Sequence, residues 1–427
     1  MNWISAIPME ARLILLFFLG TVYGALANLA VYRLAWNPRP ISPWMQHHPA
    51  APARRWSDRL PIFGWLGLRR EATIHGMGFW IRPLLVELLC GLGLAGLYIW
   101  EIEKLALFPA NMPCPPNPAL PPDLPFILHG QFAAHLMLIW LMLAASLIDV
   151  DEKIIPDAIS RSGTFVGLIL AAVWPWSLLP DVCMQPVGGW TFDFLHITTS
   201  PNPWPVWLNG APNGGSLAIA LACWALWCLA ILSRTWYDHH GWRKALVLCW
   251  ARLVRQADTY IIASMCLVGI FFITGVWLQG GDNWAALLTA LVGMAVGGGI
   301  IWIVRIIGRA VLNQEAMGFG DVTLMAMIGA FLGWQCCLII FFLAPFAALA
   351  IGLVRLVLIR DREIPYGPFL CLAALIVIVY WAGIWDWASN IFLLGWIVPL
   401  VMLACLAIMV PLLFLLRAIS NAIRARW

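Results

Sequence analysis

Long apolar runs recur along the whole chain, and they restrict the fold more than any other feature. Several reach the roughly 20 apolar residues that a helix needs to cross the hydrocarbon core of a bilayer. Because lipid offers no hydrogen-bond partners to the backbone, such runs must form helices. We expect an all-α, polytopic transmembrane helix bundle of about eleven spans. The predicted spans lie near residues 11–33, 83–100, 127–148, 158–180, 216–233, 259–279, 284–307, 322–338, 339–358, 367–385 and 390–416.

The composition fits a membrane protein and excludes other classes. Hydrophobic residues make up 62% of the chain and charged residues only 11%, against roughly 25% charged residues in a soluble domain. The net charge of +4 lies in short loops and gives no reason to expect nucleic acid binding. The 11 cysteines are scattered and form no C-x-x-C pair, so the sequence predicts neither a zinc site nor redox chemistry.

The distribution of basic residues predicts the orientation of the bundle. Arginines and lysines collect in the loops 34–82 and 234–258, which we therefore assign to the cytoplasm. The segments 101–126 and 181–215 are nearly free of them and fall outside. The bias predicts an N-terminus outside and a cytoplasmic C-terminus, in agreement with an odd number of spans. The run 322–358 is divided into two spans because one helix of that length would far exceed the bilayer thickness.

Two acidic residues lie where chemistry at the membrane boundary is possible. Asp149 ends the predicted span 127–148, and Asp321 begins the predicted span 322–338. Both therefore lie at the same cytoplasmic boundary and can meet. Two carboxylates a few ångströms apart share a proton and titrate as a pair. One can then take a proton from water while the other donates to a carbonyl oxygen, as in an aspartyl protease.

The residues around this pair have a physical role of their own. Gly318 and Gly320 lack a Cβ, so the backbone before Asp321 can bend sharply and lie close to an extended substrate strand. Pro156 and Asp157 directly precede the next predicted span, where an aspartate is a natural helix N-cap.

A structural interpretation competes with the catalytic one for each acidic residue. Asp149 or Asp321, taken alone, is better explained by a polar turn or helix cap than by catalysis. Helix capping is the preferred interpretation of Asp157. A solvated turn is the preferred interpretation of the remaining acidic residues in these two turns, Asp151, Glu152 and Glu315.

Collinear segments of the chain resemble motifs of the type IV prepilin peptidases. Residues 315–334, EAMGFGDVTLMAMIGAFLGW, are similar to the E-x-M-G-x-G-D-x-K-L motif followed by G-A-x-x-G-W. The turn from Ile148 to Asp157 resembles I-D-x-x-x-x-x-L-P-D, and residues 362–370, REIPYGPFL, resemble I-P-F-G-P-F-L. Further resemblances lie in the N-terminal region, in residues 24–34, 57–68 and 82–87.

The resemblance implies an enzyme and its division into regions. Asp149 and Asp321 map onto the catalytic pair of an endopeptidase in the inner membrane. Its substrates are prepilin or pseudopilin precursors, whose short basic leader is cut on the cytoplasmic face. The lipid bilayer is the other expected partner, and no cofactor is implied for cleavage. The expected regions are 1–125, a degenerate N-terminal region; 126–385, a peptidase core with an inserted segment at about 181–258; and 386–427, an additional span with a basic tail.

The chain also departs from the family pattern. The family's first cytoplasmic loop carries metal-binding C-x-x-C pairs, but residues 34–82 contain no cysteine. His47, His48 and His75 are expected to be exposed, and without thiolates they make a poor zinc site, so no metal is predicted. Thr323 replaces the family lysine after the catalytic Asp. These departures motivate a second function, a catalytically impaired scaffold in pilus or type II secretion assembly. Carboxylates at the membrane edge also suggest a transporter, which is less favoured because Asp and Glu lie almost only in loops. N-methyltransferase activity, the particular substrate and the oligomeric state are left open.

Overall fold

The protein is a bundle of long apolar helices, which confirms the predicted all-α membrane architecture. A computed structural model describes residues 7–36, 39–46, 48–109, 124–185, 189–193, 195–232, 255–312, 317–358 and 365–424. Glu315, His47, Arg362 and most of the basic loop 234–258 lie outside these ranges.

The main helices follow one another with short connections. They are α1 (Met9–Leu34), α2 (Ile81–Tyr98), α3 (Leu124–Glu152), α4 (Asp157–Val173), α5 (Gly214–Ile231), α6 (Ala257–Gln279), α7 (Gly281–Leu312), α8 (Phe319–Leu332), α9 (Trp334–Leu358), α10 (Gly367–Val379), α11 (Trp381–Phe392) and α12 (Ile397–Arg424). Short helical turns cover Trp56–Arg59, Phe63–Gly67, Leu68–Glu71, Ala72–His75, Ile99–Glu103, Pro175–Ser177 and Val206–Leu208. An unpredicted antiparallel pair of strands, β1 (Asp181–Gln185) and β2 (Gly189–Asp193), lies between α4 and α5.

Seven helices of the described ranges are long and apolar enough to cross a membrane, and the bent pair α10–α11 adds an eighth if it counts as one span. The total of eleven, the orientation of the termini and the three sequence regions stay predictions.

Two predicted boundaries are wrong. The run 322–358 breaks at Gly333, whose φ of +82° ends α8, and not near residue 338. The predicted span 367–385 bends by 95° where α10 meets α11.

Close glycine contacts hold α7 against α8, which carries Asp321. A Cβ on Gly293 would lie 2.1 Å from the carbonyl oxygen of Gly329, and a Cβ on Gly329 would lie 2.1 Å from the oxygen of Gly293. Small residues at helix crossings let backbones approach in this way within membranes. Every residue of α8 from Asp321 to Leu332 is buried, so this helix forms the centre of the bundle.

The loop 39–80 is folded around a buried ion pair. Arg54 donates from Nε and Nη2 to the two carboxylate oxygens of Glu71, each at 3.0 Å. Its remaining hydrogen bonds go to the carbonyl oxygens of Pro40, Ile41, Ser42 and Met45. The expected exposure of His75 is wrong, because its side chain is only 8% exposed beside Glu71. A guanidinium at the centre of the loop repels a metal ion, so these residues do not fit the metal site of the family.

Glu87 joins this loop to the membrane helices. The indole of Trp65 donates to its Oε1 at 2.7 Å, and the backbone N–H of Ile62 donates to Oε2 at 2.5 Å. Asn28 of α1 donates to Oε1 at 3.3 Å. The N-terminal segments that carry the family resemblance therefore converge on one buried carboxylate.

Candidate active site

Asp149 lies in the last turn of α3 and is 5% exposed. The helix ends just beyond it, because Lys153 adopts a left-handed conformation with φ of +57°. The backbone N–H of Gly367 faces the Asp149 carboxylate. Its Oδ2 atom is buried and accepts no hydrogen bond from the described residues. A buried carboxylate oxygen without a partner is costly to keep, and such atoms are typical of sites that bind another molecule.

Asp321 lies in the first turn of α8 and is 7% exposed. Its Oδ2 accepts a hydrogen bond of 3.2 Å from the backbone N–H of Gly318. The capping role considered from the sequence is therefore real for Asp321, and it also fixes the carboxylate in place. A cation acts on this group as well, because Arg305 of α7 lies near Asp321 and over the ring of Phe319, 5.6 Å from its centroid.

The fold brings Asp149 and Asp321 together. The carboxylates lie close enough for the charge of Asp321 to repel that of Asp149. Ile155 packs between the elements that carry them: its Cβ would be 2.9 Å from a Cβ on Gly320, and its Cδ1 would be 2.9 Å from a Cβ on Gly367. The geometry therefore supplies two neighbouring carboxylates, largely shielded from water, at one end of the bundle.

Two residues from the α10 region complete the surroundings of the pair. Tyr366 precedes α10, and burial together with the negative charge of Asp321 raises the pKa of Tyr366 to about 12. Its hydroxyl is therefore protonated at neutral pH and available as a donor. Cys371, one turn into α10, is buried near both carboxylates, and its side chain forms a hydrogen bond with that of Ser146 on α3.

Comparison with known proteins finds a family model and relatives that match part of this chain. The profile of the Type IV leader peptidase family matches residues 246–353, which include Asp321 but not Asp149. The prepilin leader peptidase/N-methyltransferase of Aeromonas hydrophila is 26% identical over 215 residues, 49% of this chain and 65% of that protein. The protein of the same name from Pseudomonas putida is 33% identical over 115 residues, 26% of this chain and 39% of that protein.

The chain is a relative of the type IV leader peptidase family. This confirms the resemblance found in the sequence motifs. The chain spans less than two thirds of the length of the Aeromonas and Pseudomonas proteins. No solved structure gives a significant match.

The other predicted residues of this leader peptidase relative lie beside the pair and do not join it. Pro156 occupies the N-cap position of α4, and Gly318 that of α8. The capping role expected for Asp157 is wrong, since it is the first residue inside α4, makes no cap hydrogen bond and pairs with Arg161 at 2.6 Å.

The acidic side chains that follow Asp149 make contacts that the sequence did not predict. Asp151 pairs with Arg82 at 2.5 Å. Glu152 accepts a hydrogen bond of 2.5 Å from the backbone N–H of Trp36. Asp151 is exposed, as the solvated turn expected there predicts, and both carboxylates also tie the end of α3 to neighbouring segments.

Sequence reasoning assigned no role to Gly367, Ile155 or Arg305, although all three shape the site. Gly367 belongs to the segment REIPYGPFL quoted above. A glycine directly before a proline there is a signal that sequence reasoning could have used. Thr323, which replaces the family lysine, is buried and donates to the carbonyl oxygen of Gly320 at 3.0 Å. The positive charge near Asp321 is supplied by Arg305 of α7, and not by residue 323.

Proposed function

We propose that this chain is an aspartyl endopeptidase that removes the short basic leader from prepilin-like or pseudopilin-like precursors at the cytoplasmic face of the inner membrane. The observation that carries the proposal is the meeting of two buried carboxylates, Asp149 and Asp321, from distant parts of the sequence. The family match and the names of the relatives support the substrate class.

The chemistry follows from two carboxylates that hold one proton between them. The ionised carboxylate takes a proton from a water molecule, whose oxygen attacks the carbonyl carbon of the scissile peptide bond. The protonated carboxylate donates its proton to the carbonyl oxygen. When the tetrahedral intermediate collapses, the C–N bond breaks and the departing nitrogen takes up a proton. Shielding from water strengthens each of these electrostatic interactions.

The contacts of the two carboxylates indicate which one is ionised and which one carries the proton. Asp321 Oδ2 already accepts a backbone hydrogen bond, and Arg305 lies near Asp321. Both interactions favour the ionised form of a carboxylate. Asp149 has a buried oxygen without a described partner and feels the charge of Asp321. We therefore assign the shared proton to Asp149 in the resting enzyme.

Co-expression with a precursor tests this function. The precursor carries a short basic leader ending in glycine before an apolar helix, and a gel shift with mass spectrometry reports removal of the leader. We expect a product that begins directly after the leader. An intact precursor in membranes that contain folded protein would contradict the proposal and favour a scaffold in pilus or type II secretion assembly.

A further inference from the structure

An apolar groove of about 720 Å³ runs beside the candidate site. It is lined by α2, α3 and α10, with Tyr23 of α1. On α10 the lining extends from Pro368 to Val379, which at 1.5 Å per residue corresponds to about 16 Å, or three helical turns. The groove is therefore long enough for one face of an apolar helix over about half of the hydrocarbon core.

One end of the groove, which we call the inner end, lies near the carboxylates, although neither of them lines it. Ser146 and Leu147 of its lining immediately precede the turn that contains Asp149. Cys371, also in the lining, lies near both Asp149 and Asp321. A chain that follows the groove towards this end arrives at the candidate active site.

The outer end of the groove is closed. The indole of Trp100 donates to the carbonyl oxygen of Val379 at 2.7 Å, joining the helical turn after α2 to the end of α10. The same ring packs edge-on against Tyr380, with centroids 6.4 Å apart. The groove therefore has a defined direction from this aromatic closure to the carboxylates.

Two glycines of the lining indicate what the groove holds. Gly93 and Gly96 are exposed on α2, and a Cβ on either would meet no described atom within 4 Å. By contrast, Gly91 on the same helix packs against Phe17 of α1. Glycines in membrane helices permit close approach of another helix, and no described helix uses these two. An acyl chain packs equally well against leucine and needs no such surface.

We propose that this groove binds the apolar helix of the precursor and thereby delivers its leader junction to Asp149 and Asp321. This inference rests on the proposed function. It identifies the apolar helix as the part of the precursor that provides binding affinity, while the two carboxylates carry out the cleavage. The groove ends near the candidate site, and its length and open glycines suit a single helix.

Filling the groove tests the inference. Gly93→Leu and Gly96→Leu add side chains into open space and raise helix propensity, so both variants are expected to fold. The matched control is Gly275→Leu on α6, where a Cβ would also meet no described atom within 4 Å. The probe is a synthetic precursor with a basic leader, a glycine and an apolar helix.

We expect each groove variant to raise the KM for this precursor about tenfold with little change in kcat, because binding is lost equally in the ground and transition states. Gly275→Leu should match the parent. Equal KM values for the groove variants and the control would overturn the inference. Thermal unfolding of each variant in detergent verifies that the fold is retained.

A crosslinking arm separates this inference from the proposed function. A photo-crosslinking residue at Leu97, inside the groove, should capture the apolar helix of the precursor, whereas one at Leu267, exposed on α6, should not. Capture at Leu97 without cleavage by the parent protein would support the groove and contradict the peptidase. Capture of phospholipid alone at Leu97 would overturn the groove and leave cleavage to be judged separately.

Discussion

Gly367 contacts Asp149 so closely that a Cβ on the glycine would lie 2.6 Å from Oδ2 of the carboxylate. The same Cβ would lie 2.9 Å from Cδ1 of Ile155, so displacement of either neighbour would disturb the other. The start of α10 therefore fixes the orientation of Asp149 and leaves no space there for any side chain.

Gly367→Ala should lower leader cleavage by at least about tenfold, equivalent to ~1.4 kcal/mol in the activation barrier. The added methyl group must push the Asp149 carboxylate away from its present position. The rate is measured in detergent with a precursor substrate and compared with that of Gly383→Ala on α11, where a Cβ would meet no described atom within 4 Å. Equal rates for the two variants would show that this contact does not position Asp149.

Gly329→Ala should destabilise the bundle, because its Cβ would clash with the backbone of Gly293 and separate α7 from α8. Overpacking of a tight contact typically costs about 1–3 kcal/mol. The unfolding midpoint in detergent should fall, and cleavage should fall with it because α8 carries Asp321. Gly299→Ala on α7, with open space around its Cβ, should retain the parent midpoint. A Gly329→Ala midpoint equal to that control would refute the close contact.

Arg54→Ala should unfold the loop 39–80 without unfolding the bundle. It leaves the fully buried Glu71 carboxylate without its guanidinium partner, and breaking such a pair costs about 3–5 kcal/mol. Hydrogen exchange should show lost protection between residues 40 and 75, while α8 stays protected. Arg59→Ala, which removes an exposed side chain, should leave exchange unchanged. Unchanged protection in Arg54→Ala would mean that the ion pair does not organise the loop.

His196 should make the stability of the bundle depend on pH. Burial lowers the pKa of His196 to about 4, against the opposing charge of Asp181, and Trp381 and Trp385 pack against its ring. The unfolded chain binds a proton near its usual pKa of about 6.5, so stability is lost as pH falls from there towards 4.

The control for this prediction is His196→Phe, which keeps an aromatic ring and cannot titrate. Between about pH 7 and pH 5, above and below the usual histidine value, the unfolding midpoint of the parent should fall further than that of the variant. Parallel decreases in the two proteins would assign the pH dependence to other groups.

The sequence predicted the membrane helices and the meeting of the two carboxylates for separate physical reasons. Apolar runs in lipid can only form helices, so α1, α3 and α7 were identifiable from hydropathy. Asp149 and Asp321 were placed at one boundary by the alternation of basic loops. Their proximity in the structure agrees with that placement, while their catalytic role stays a proposal.

Features that depend on tertiary contacts were not accessible in this way. The break at Gly333 falls within a continuous apolar run, where hydropathy carries no boundary signal. The pairing of Arg54 with Glu71 could not be predicted from the sequence, because the loop contains several arginines and nothing in their sequence neighbourhoods distinguishes Arg54 from the others. The contact of Gly367 with Asp149 joins segments that are far apart in sequence, and only the packing of α10 against α3 creates it.

The cleavage rates of Asp149→Asn and Asp321→Asn test the central claim most directly. Asparagine keeps the shape of the side chain but can neither accept a proton from water nor donate a carboxyl proton. Asp157→Asn is the matched control, because that carboxylate lies nearby and pairs with Arg161. With all three proteins inserted and folded, we predict that the first two release no leader and that the control cleaves at close to the parent rate. Leader removal by both Asp149→Asn and Asp321→Asn would contradict the account.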